Sequence, residues 1–426
     1  MLNEKQSLAF EKVRAGKNVF ISGSGGKGKS YLIRHLMETY SSDTILMAPT
    51  GIAALNINGA TIHSTFKFPI SILTKKHYSR YNKKTEELFD KNGPVRRIVV
   101  DEVSMVRQDI LTVMDQQLRR IRKLNIPFGG LQVVVVGDFF QLPSVVSQNE
   151  KKVFYTQYDS PFCFAGETWA QAGFEYIELV ENMRQSDNTF RHHLETIRRK
   201  EQGYQDSVDF FNKVGFANTE EILENDPVFI CSTNRSADTI NVSNYKDLDG
   251  PEKTYKAQIS GKFDARPSPE YLDLKYGTKV IFTANTENFR NGETGYAVGF
   301  GSDYVEVIKE DTEETVFVKK NKWEDREYAI KADGSLGSFP TGTYEQFPLR
   351  HGWAVTVHRC QGMSIANAMI DMGLGAFTSG QTYVALSRLR TLEGLGLISK
   401  LKYSDIIVDK KVIEFYNNDC RGIGLF

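Results

Sequence analysis

The sequence predicts a doubly wound α/β chain, and three observations predict it. Short apolar runs recur between helical stretches, a second set of runs follows later, and the first run leads straight into a glycine-rich loop. The early runs are Val19-Phe20-Ile21, Thr44-Ile45-Leu46-Met47, Ile98-Val99-Val100 and Val133-Val134-Val135-Val136. Near-continuous β-branched runs suit strands covered on both faces, as in a parallel sheet, better than half-exposed strands. Between the last two, Val106, Ile110, Val113, Leu118 and Ile121 recur at helical spacing behind Ser104, which predicts a helix capped by that serine.

The later runs are Val228-Phe229-Ile230-Cys231, Val280-Ile281-Phe282, Met369-Ile370 and Leu395-Gly396-Leu397-Ile398, read as a second α/β domain. The gap between 285 and 346 reads as an insertion into it. There Tyr304-Val305-Glu306-Val307 and Thr315-Val316-Phe317-Val318 alternate across a polar turn, which predicts a hairpin within a small β-barrel. Residues 67–97 form another gap, rich in Lys, Tyr and Asn and without periodicity. Both gaps exceed ordinary connections, so added function is expected of them.

A length of 426 residues is the size of several domains. Lys+Arg number 53 and Asp+Glu 53, a formal net charge of 0, which argues against a uniformly basic polyanion binder but says nothing of local distribution. Cys163, Cys231, Cys360 and Cys420 lie far apart with no C-x-x-C pair, which indicates neither a disulfide framework nor a structural zinc site. The charged start Met1-Leu2-Asn3-Glu4-Lys5-Gln6 is no signal peptide, and no apolar run approaches the roughly 18 residues of a membrane span. A reducing, cytoplasmic setting is the expectation.

The strongest local signal is Gly23-Ser24-Gly25-Gly26-Lys27-Gly28-Lys29-Ser30, which satisfies G-x-x-x-x-G-K-[ST] between a predicted strand and a predicted helix. Glycines let backbone N–H groups turn toward phosphate oxygens, and the helix N-terminus adds a favourable dipole. Lys29 is expected to pair with the β- and γ-phosphates, and the Ser30 hydroxyl to hold Mg²⁺. Asp101-Glu102 follows the run Ile98-Val99-Val100, placing Asp101 as a metal ligand and Glu102 as the base that polarises the attacking water. Gly137-Asp138-Phe139-Phe140-Gln141-Leu142-Pro143 follows another run and brings a neutral amide, Gln141, toward the γ-phosphate. Hydrolysis spreads negative charge over equatorial oxygens, and an arginine from another domain can stabilise it. Arg184, in Glu181-Asn182-Met183-Arg184-Gln185, and Arg388, in Ala385-Leu386-Ser387-Arg388, are the two candidates.

With these residues in place, the chain resembles the superfamily-one, class B helicases that move 5′→3′, and more narrowly the petite-integration-frequency (PIF-type) DNA helicases. Matching blocks run through nearly the whole chain: Leu2 to Gln6, the P-loop, Ala48-Pro49-Thr50-Gly51-Ile52-Ala53-Ala54, Gly59 to Phe66, and Asp101 to Met105. Leu118 through Pro143, with Pro127-Phe128-Gly129-Gly130, is the most specific. The Arg184 block, Thr233-Asn234, Thr356-Val357-His358-Arg359-Cys360-Gln361-Gly362 and Tyr383 to Arg388 complete the order.

The resemblance implies two RecA-like P-loop domains, the first over 1–66 and 98–183 and the second over 184–285 and 346–426. It also implies a wedge-bearing insertion at 67–97 and a Src-homology-three-like β-barrel at 286–345. It assigns Gln6 to the adenine, makes Gln141 the γ-phosphate sensor and Arg184 and Arg388 the arginine fingers, and places Gln361 and Gly362 where ATP state reaches the DNA track. Thr50, His63, Thr65, Phe66, Thr233, Asn234, Thr356 and His358 are implied to line that track. Short hydroxyl and amide side chains suit a grip that must be released at each step, and Phe66 either stacks on a base or belongs to the core. The implied activity is ATP- and Mg²⁺-dependent 5′→3′ translocation by a monomer on single-stranded DNA, with unwinding of 5′-tailed or forked duplex, and G-quadruplex or RNA–DNA hybrid as further substrates. A bacterial or phage-encoded protein is expected.

Two departures stand out. Lys27 and Gly25 replace the family's usual Thr and Ala in the loop; Lys27 either strengthens phosphate binding and slows product release or points to solvent. Cys360 stands where Ser is usual. A nucleotide-gated DNA-binding scaffold with impaired turnover, Lys27 being its lesion, is the alternative reading. A small-molecule phosphotransferase gives no reason for the second domain. The charge is also uneven: residues 65–97 carry nine Lys/Arg and three Asp/Glu, and residues 301–350 seven and eleven. DNA affinity is therefore expected to fall with salt less steeply than for a chain making about ten phosphate contacts, and titration across salt concentrations checks it.

Overall fold

The early runs become strands of one sheet: β1 (Val19–Ser22), β2 (Thr44–Ala48), β3 (Ala60–Thr61), β4 (Arg97–Val100), β5 (Gln132–Gly137) and β6 (Glu175–Glu178). The computed structural model describes residues 2–181, 187–418 and 420. The sheet order is β3-β2-β4-β5-β1-β6, with every neighbouring pair parallel. All residues of β1, β2, β4 and β5 are buried, as expected of strands covered on both faces. Ala9 and Val13 of the helix Glu4–Arg14, with Ile33 and Leu36 of the helix Lys29–Tyr40, pack on Val19, Ile21, Val134 and Val136.

The predicted helix after β4 starts later than its serine. Val103–Met105 forms a single 3₁₀ turn, and the helix runs Gln108–Arg122 behind Arg107. Glu102 sits in the left-handed region at φ 50°, and the turn that this forces absorbs Ser104 before regular helix can begin. Arg107 instead ties Asp109 in the first turn through an ion pair of 2.8 Å. The segment 67–97 holds one 3₁₀ turn, Lys75–His77, and a short helix, Lys83–Phe89, capped by the Asn82 side chain.

The later chain runs through β7 (Val228–Cys231), β8 (Lys253–Lys256), β9 (Gln258–Gly261), β10 (Tyr271–Leu274), β11 (Thr278–Phe282), β12 (Thr294–Phe300), β13 (Tyr304–Lys309) and β14 (Thr315–Lys319). It continues with β15 (Asn321–Ile330), β16 (Leu336–Gln346), β17 (Leu349–His351), β18 (Ala354–Thr356), β19 (Ala368–Asp371) and β20 (Leu395–Leu397). A second parallel sheet has the order β18-β7-β19-β20. The run Val280-Ile281-Phe282 does not join it. β11 sits inside an antiparallel sheet of order β14-β13-β12-β11-β17, so the inserted β region starts well before residue 286. The strand is buried throughout, and an unbroken apolar run of this kind looks the same in a parallel and an antiparallel sheet when both faces are covered. The hairpin of β13 and β14 forms as expected, Val307 opposite Val316.

The chain divides into two units, Met1–Met183 with Glu324–Gly342 and Asp409–Phe426, and Arg184–Trp323 with Thr343–Val408. Two segments therefore leave the expected boundaries. The distal part of the β15–β16 hairpin belongs with the first unit, where the Leu46 N–H donates to the Tyr328 hydroxyl (3.2 Å) and Glu327 pairs with Lys67 (3.0 Å) and Lys84 (3.7 Å). The helix Lys410–Asn418 also joins the first unit. Its Val412, Phe415 and Tyr416 share an apolar face, and Phe415 stacks on Phe164 (4.3 Å between ring centres) and meets Phe139 and Trp169 edge-on. Phe415→Ala is expected to cost the first unit about 3–5 kcal/mol, read from the shift of its denaturant unfolding midpoint.

Candidate nucleotide and DNA site

Strand order brings the chemistry together. β4, β5 and β1 are consecutive neighbours in the sheet, so the loops at their carboxyl ends, carrying Asp101-Glu102, Gln141 and the P-loop, lie side by side. Gly137 ends β5, and a side chain there would meet the Val103 backbone nitrogen at 2.9 Å. Glycine at this position lets the acid loop approach the end of β5.

In the P-loop, Gly26 and Gly28 take positive φ of 81° and 78°, and the helix begins at Lys29. The Lys29 ammonium donates to the carbonyls of Gly23 (2.7 Å) and Ser24 (3.1 Å), curling over the loop it is expected to serve. Gly25 lies within the loop, and Ser30 is exposed at the first turn of the helix. The Lys27 ammonium donates to the Val180 carbonyl at 2.7 Å, tying the loop to the segment after β6. Gln6 is 2% exposed, its side-chain amide donating to the Gly28 carbonyl at 3.2 Å while its oxygen accepts from the Asn3 N–H. The residue assigned to the adenine thus touches the loop assigned to the phosphates.

Asp101 is buried, and its carboxylate accepts from the Glu102 N–H at 2.9 Å. Burial first, and the neighbouring Glu102 carboxylate second, push its pKa up to about 7 against the pull of that N–H and of Lys29. A carboxyl so strained toward neutrality gains most from a cation. Gln141 is 5% exposed; its side-chain amide donates to the Asp138 carboxylate (3.2 Å), which also accepts from the Phe140 N–H. Asp138, whose place in the motif carries no sign of a role, fixes the orientation of Gln141.

Arg184 lies outside the described residues. Arg388 lies in the second unit, 2% exposed, in the turn after the helix Gln381–Leu386, its guanidinium turned back to the Val384 carbonyl (3.0 Å) and the Ser387 hydroxyl (2.8 Å). Its backbone carbonyl accepts from the Ile365 N–H at 3.0 Å, which joins the Arg388 segment to the stretch just after Gln361 and Gly362. Gly362 takes φ 87° with open space around it.

The track residues divide. Thr50 and Thr233 are built alike, each following a strand of its own sheet and capping the next helix through its side-chain oxygen, to the Ala53 N–H (3.3 Å) and the Ser236 N–H (3.2 Å). Thr233, Asn234 and His358 are exposed. Thr356, 3% exposed, uses its hydroxyl oxygen to accept from the Arg359 N–H. His63 is half-buried, and burial together with Arg107 holds it below the ordinary imidazole value, so it is neutral near pH 7. Thr65 and Phe66 correct the expectation. Thr65 is 3% exposed and donates to the Thr61 carbonyl. Phe66 is 1% exposed, stacked on Phe68 (5.2 Å) and Phe89 (4.9 Å), so its ring belongs to the core and offers no face to a base.

A family model described as PIF1-like helicase matches residues 1–221. The ATP-dependent DNA helicase Pif1 of Bdellovibrio bacteriovorus is 32% identical over 430 residues, covering 97% of this chain and 91% of that one. The Campylobacter jejuni helicase of the same name is 30% identical, covering 96% of each. The crystal structure of Bacteroides sp. Pif1 in complex with ADP-AlF4 matches with a TM-score of 0.90 at 30% identity over 99% of this chain and 98% of that one. The Bacteroides Pif1 structure bound to single-stranded DNA matches with a TM-score of 0.68 at the same identity and coverage. This chain belongs to the PIF1-like helicase family, a class of ATP-dependent DNA helicases.

Gly137→Ala is expected to push the Val103 backbone away, lowering ATP turnover and costing about 1–3 kcal/mol of stability, as steady-state ATPase and thermal melting will read.

Proposed function

We propose that this chain is a monomeric ATP-driven motor that moves 5′→3′ along single-stranded DNA and unwinds 5′-tailed or forked duplex. The observation that carries the reading is the adjacency of the P-loop, the Asp101-Glu102 loop and the Gln141 loop on β1, β4 and β5, in a chain of this family. Solved Pif1 relatives bound to single-stranded DNA, and one concerned with unwinding at forked double-stranded DNA by two coordinating copies, support the substrate class.

In this reading the P-loop amides and Lys29 hold the phosphates, and Gln6 reads the adenine. Ser30 and Asp101 would supply two oxygen donors, a set that suits Mg²⁺, and the ion when bound would neutralise phosphate charge. Glu102 takes the proton of the attacking water. Gln141, steadied by Asp138, senses the γ-phosphate, while Arg184 and Arg388 stabilise the charge that develops on the transferring group. Arg388 must leave its carbonyl and hydroxyl partners to do so, which makes finger engagement a conformational step. Alternating grip by the two RecA-like domains, through Thr50 and His63 in one and Thr233, Asn234, Thr356 and His358 in the other, gives directed stepping. The basic segment 67–97 is the wedge, and the inserted β region is the Src-homology-three-like barrel. G-quadruplexes and RNA–DNA hybrids are further substrates.

Lys29 curled over the loop that Lys27 ties to Val180, with the acid and Gln141 loops beside it, favours a working motor over a nucleotide-gated scaffold. DNA-stimulated ATPase separates the two. Lys29→Ala is expected to lower turnover by at least about 10²-fold, and unwinding is expected on a 5′-tailed duplex and not on a 3′-tailed one. Activity on the 3′-tailed duplex alone would reverse the proposed direction, and no hydrolysis at saturating single-stranded DNA would leave the scaffold reading.

A further inference from the structure

We propose that Tyr416 is a positioning residue for the γ-phosphate end of the nucleotide site, holding the base of the P-loop and the Gln141 loop in one register. The inference rests on the reading of Gln141 as the γ-phosphate sensor. Tyr416 lies on the helix Lys410–Asn418, 394 positions from Ser22 in the sequence, and is 4% exposed. Its hydroxyl lies 2.9 Å from the Ser22 hydroxyl and accepts from the Phe139 N–H at 3.3 Å, both contacts buried. Its ring stacks on Phe140 with 4.6 Å between centres and 16° between planes.

Each partner stands next to a working element. Ser22 is the last residue of β1, immediately before Gly23 of the P-loop, and it is paired in register with Gly137, the last residue of β5. Phe139 and Phe140 are the two residues before Gln141. On one side the turn 138–141 is held by Asp138, through the Phe140 N–H and the Gln141 amide. Tyr416 holds the other side. A phenol hydroxyl has one hydrogen and two lone pairs, enough to serve Ser22 and the Phe139 N–H together. One oxygen thus bridges the carboxyl ends of two neighbouring strands, where the distance between phosphate cradle and sensor is set. Removing it leaves two buried polar groups facing a ring hydrogen while the aromatic packing stays, so the turn has cause to shift and the core has none to open.

The test compares the full-length wild type with Tyr416→Phe, Gln141→Ala and the pair Tyr416→Phe/Ser22→Ala in steady-state ATPase with saturating single-stranded DNA, each with a melting curve. Tyr416→Phe is expected to lower kcat about ten-fold, with the KM for ATP within about two-fold of wild type and the melting temperature lowered by only a few degrees, the cost of the two unpaired groups. Adding Ser22→Ala is expected to cost little more, because both changes remove parts of one bonded unit. If Gln141→Ala loses kcat and Tyr416→Phe keeps it, the positioning role is overturned and the sensor reading stands. If Tyr416→Phe lowers only the melting temperature, its role is structural and the proposal fails. If Gln141→Ala turns over at the wild-type rate, the sensor reading falls, and the proposal with it.

Discussion

Everything at the nucleotide site depends on three parallel strands lying in the order β4, β5, β1. Adjacent strands sit about 4.8 Å apart, so the acid pair and the phosphate loop are about 10 Å from each other at their roots, with the Gln141 turn between them. That spacing matches groups that must reach one nucleotide from two sides. One more strand between them would put the acids out of reach. Close approach matters as much as order. Gly137 lets the backbone after Glu102 come against the end of β5, and the left-handed Glu102 turns the chain there. Burial of Asp101 follows from this crowding, and so does its raised pKa. The geometry that assembles the site also primes one carboxyl to seek a cation.

Much of this was legible in the sequence because the relevant signals are local. The phosphate loop needs glycines at fixed offsets, buried parallel strands need unbroken β-branched runs, and acids at strand ends declare themselves by what precedes them. The alternating hairpin of β13 and β14 was readable for the same reason. What escaped depends on distant partners. The run in β11 carries no mark of which sheet will take it. The face of Val412, Phe415 and Tyr416 announces a packed helix, but nothing in its spacing names the aromatic cluster of the first unit as its seat. Phe66 shows the limit most plainly: an aromatic directly after Ser64-Thr65 fits a base-stacking role and a core role equally well, and Phe68 and Phe89 decide the matter.

The two parallel sheets repeat one construction on a small scale. A strand ends, a threonine caps the next helix, and its side chain is held at the carboxyl edge; Thr50 does this after β2 and Thr233 after β7. The capping bond employs a lone pair of the hydroxyl oxygen and so restrains the side chain while leaving its polar character intact. Fixed, short and uncharged groups of this kind form hydrogen bonds with defined geometry and little Coulombic depth.

The pairing of Glu327 with Lys67 and Lys84 bears on the chain's balance of charge. Two cations of the basic segment already have a carboxylate as company, and this carboxylate is attached to the chain. A polyanion arriving there displaces a tethered counterion and not a dissolved one. Dissolved ions gain mixing entropy on release, and that gain shrinks as bulk salt rises; a carboxylate held by its own hairpin has almost none to gain. The cations condensed on the polyanion are still released, so ionic strength keeps its hold on the exchange, while the local concentration that the hairpin imposes lowers the affinity of these two lysines for the polyanion.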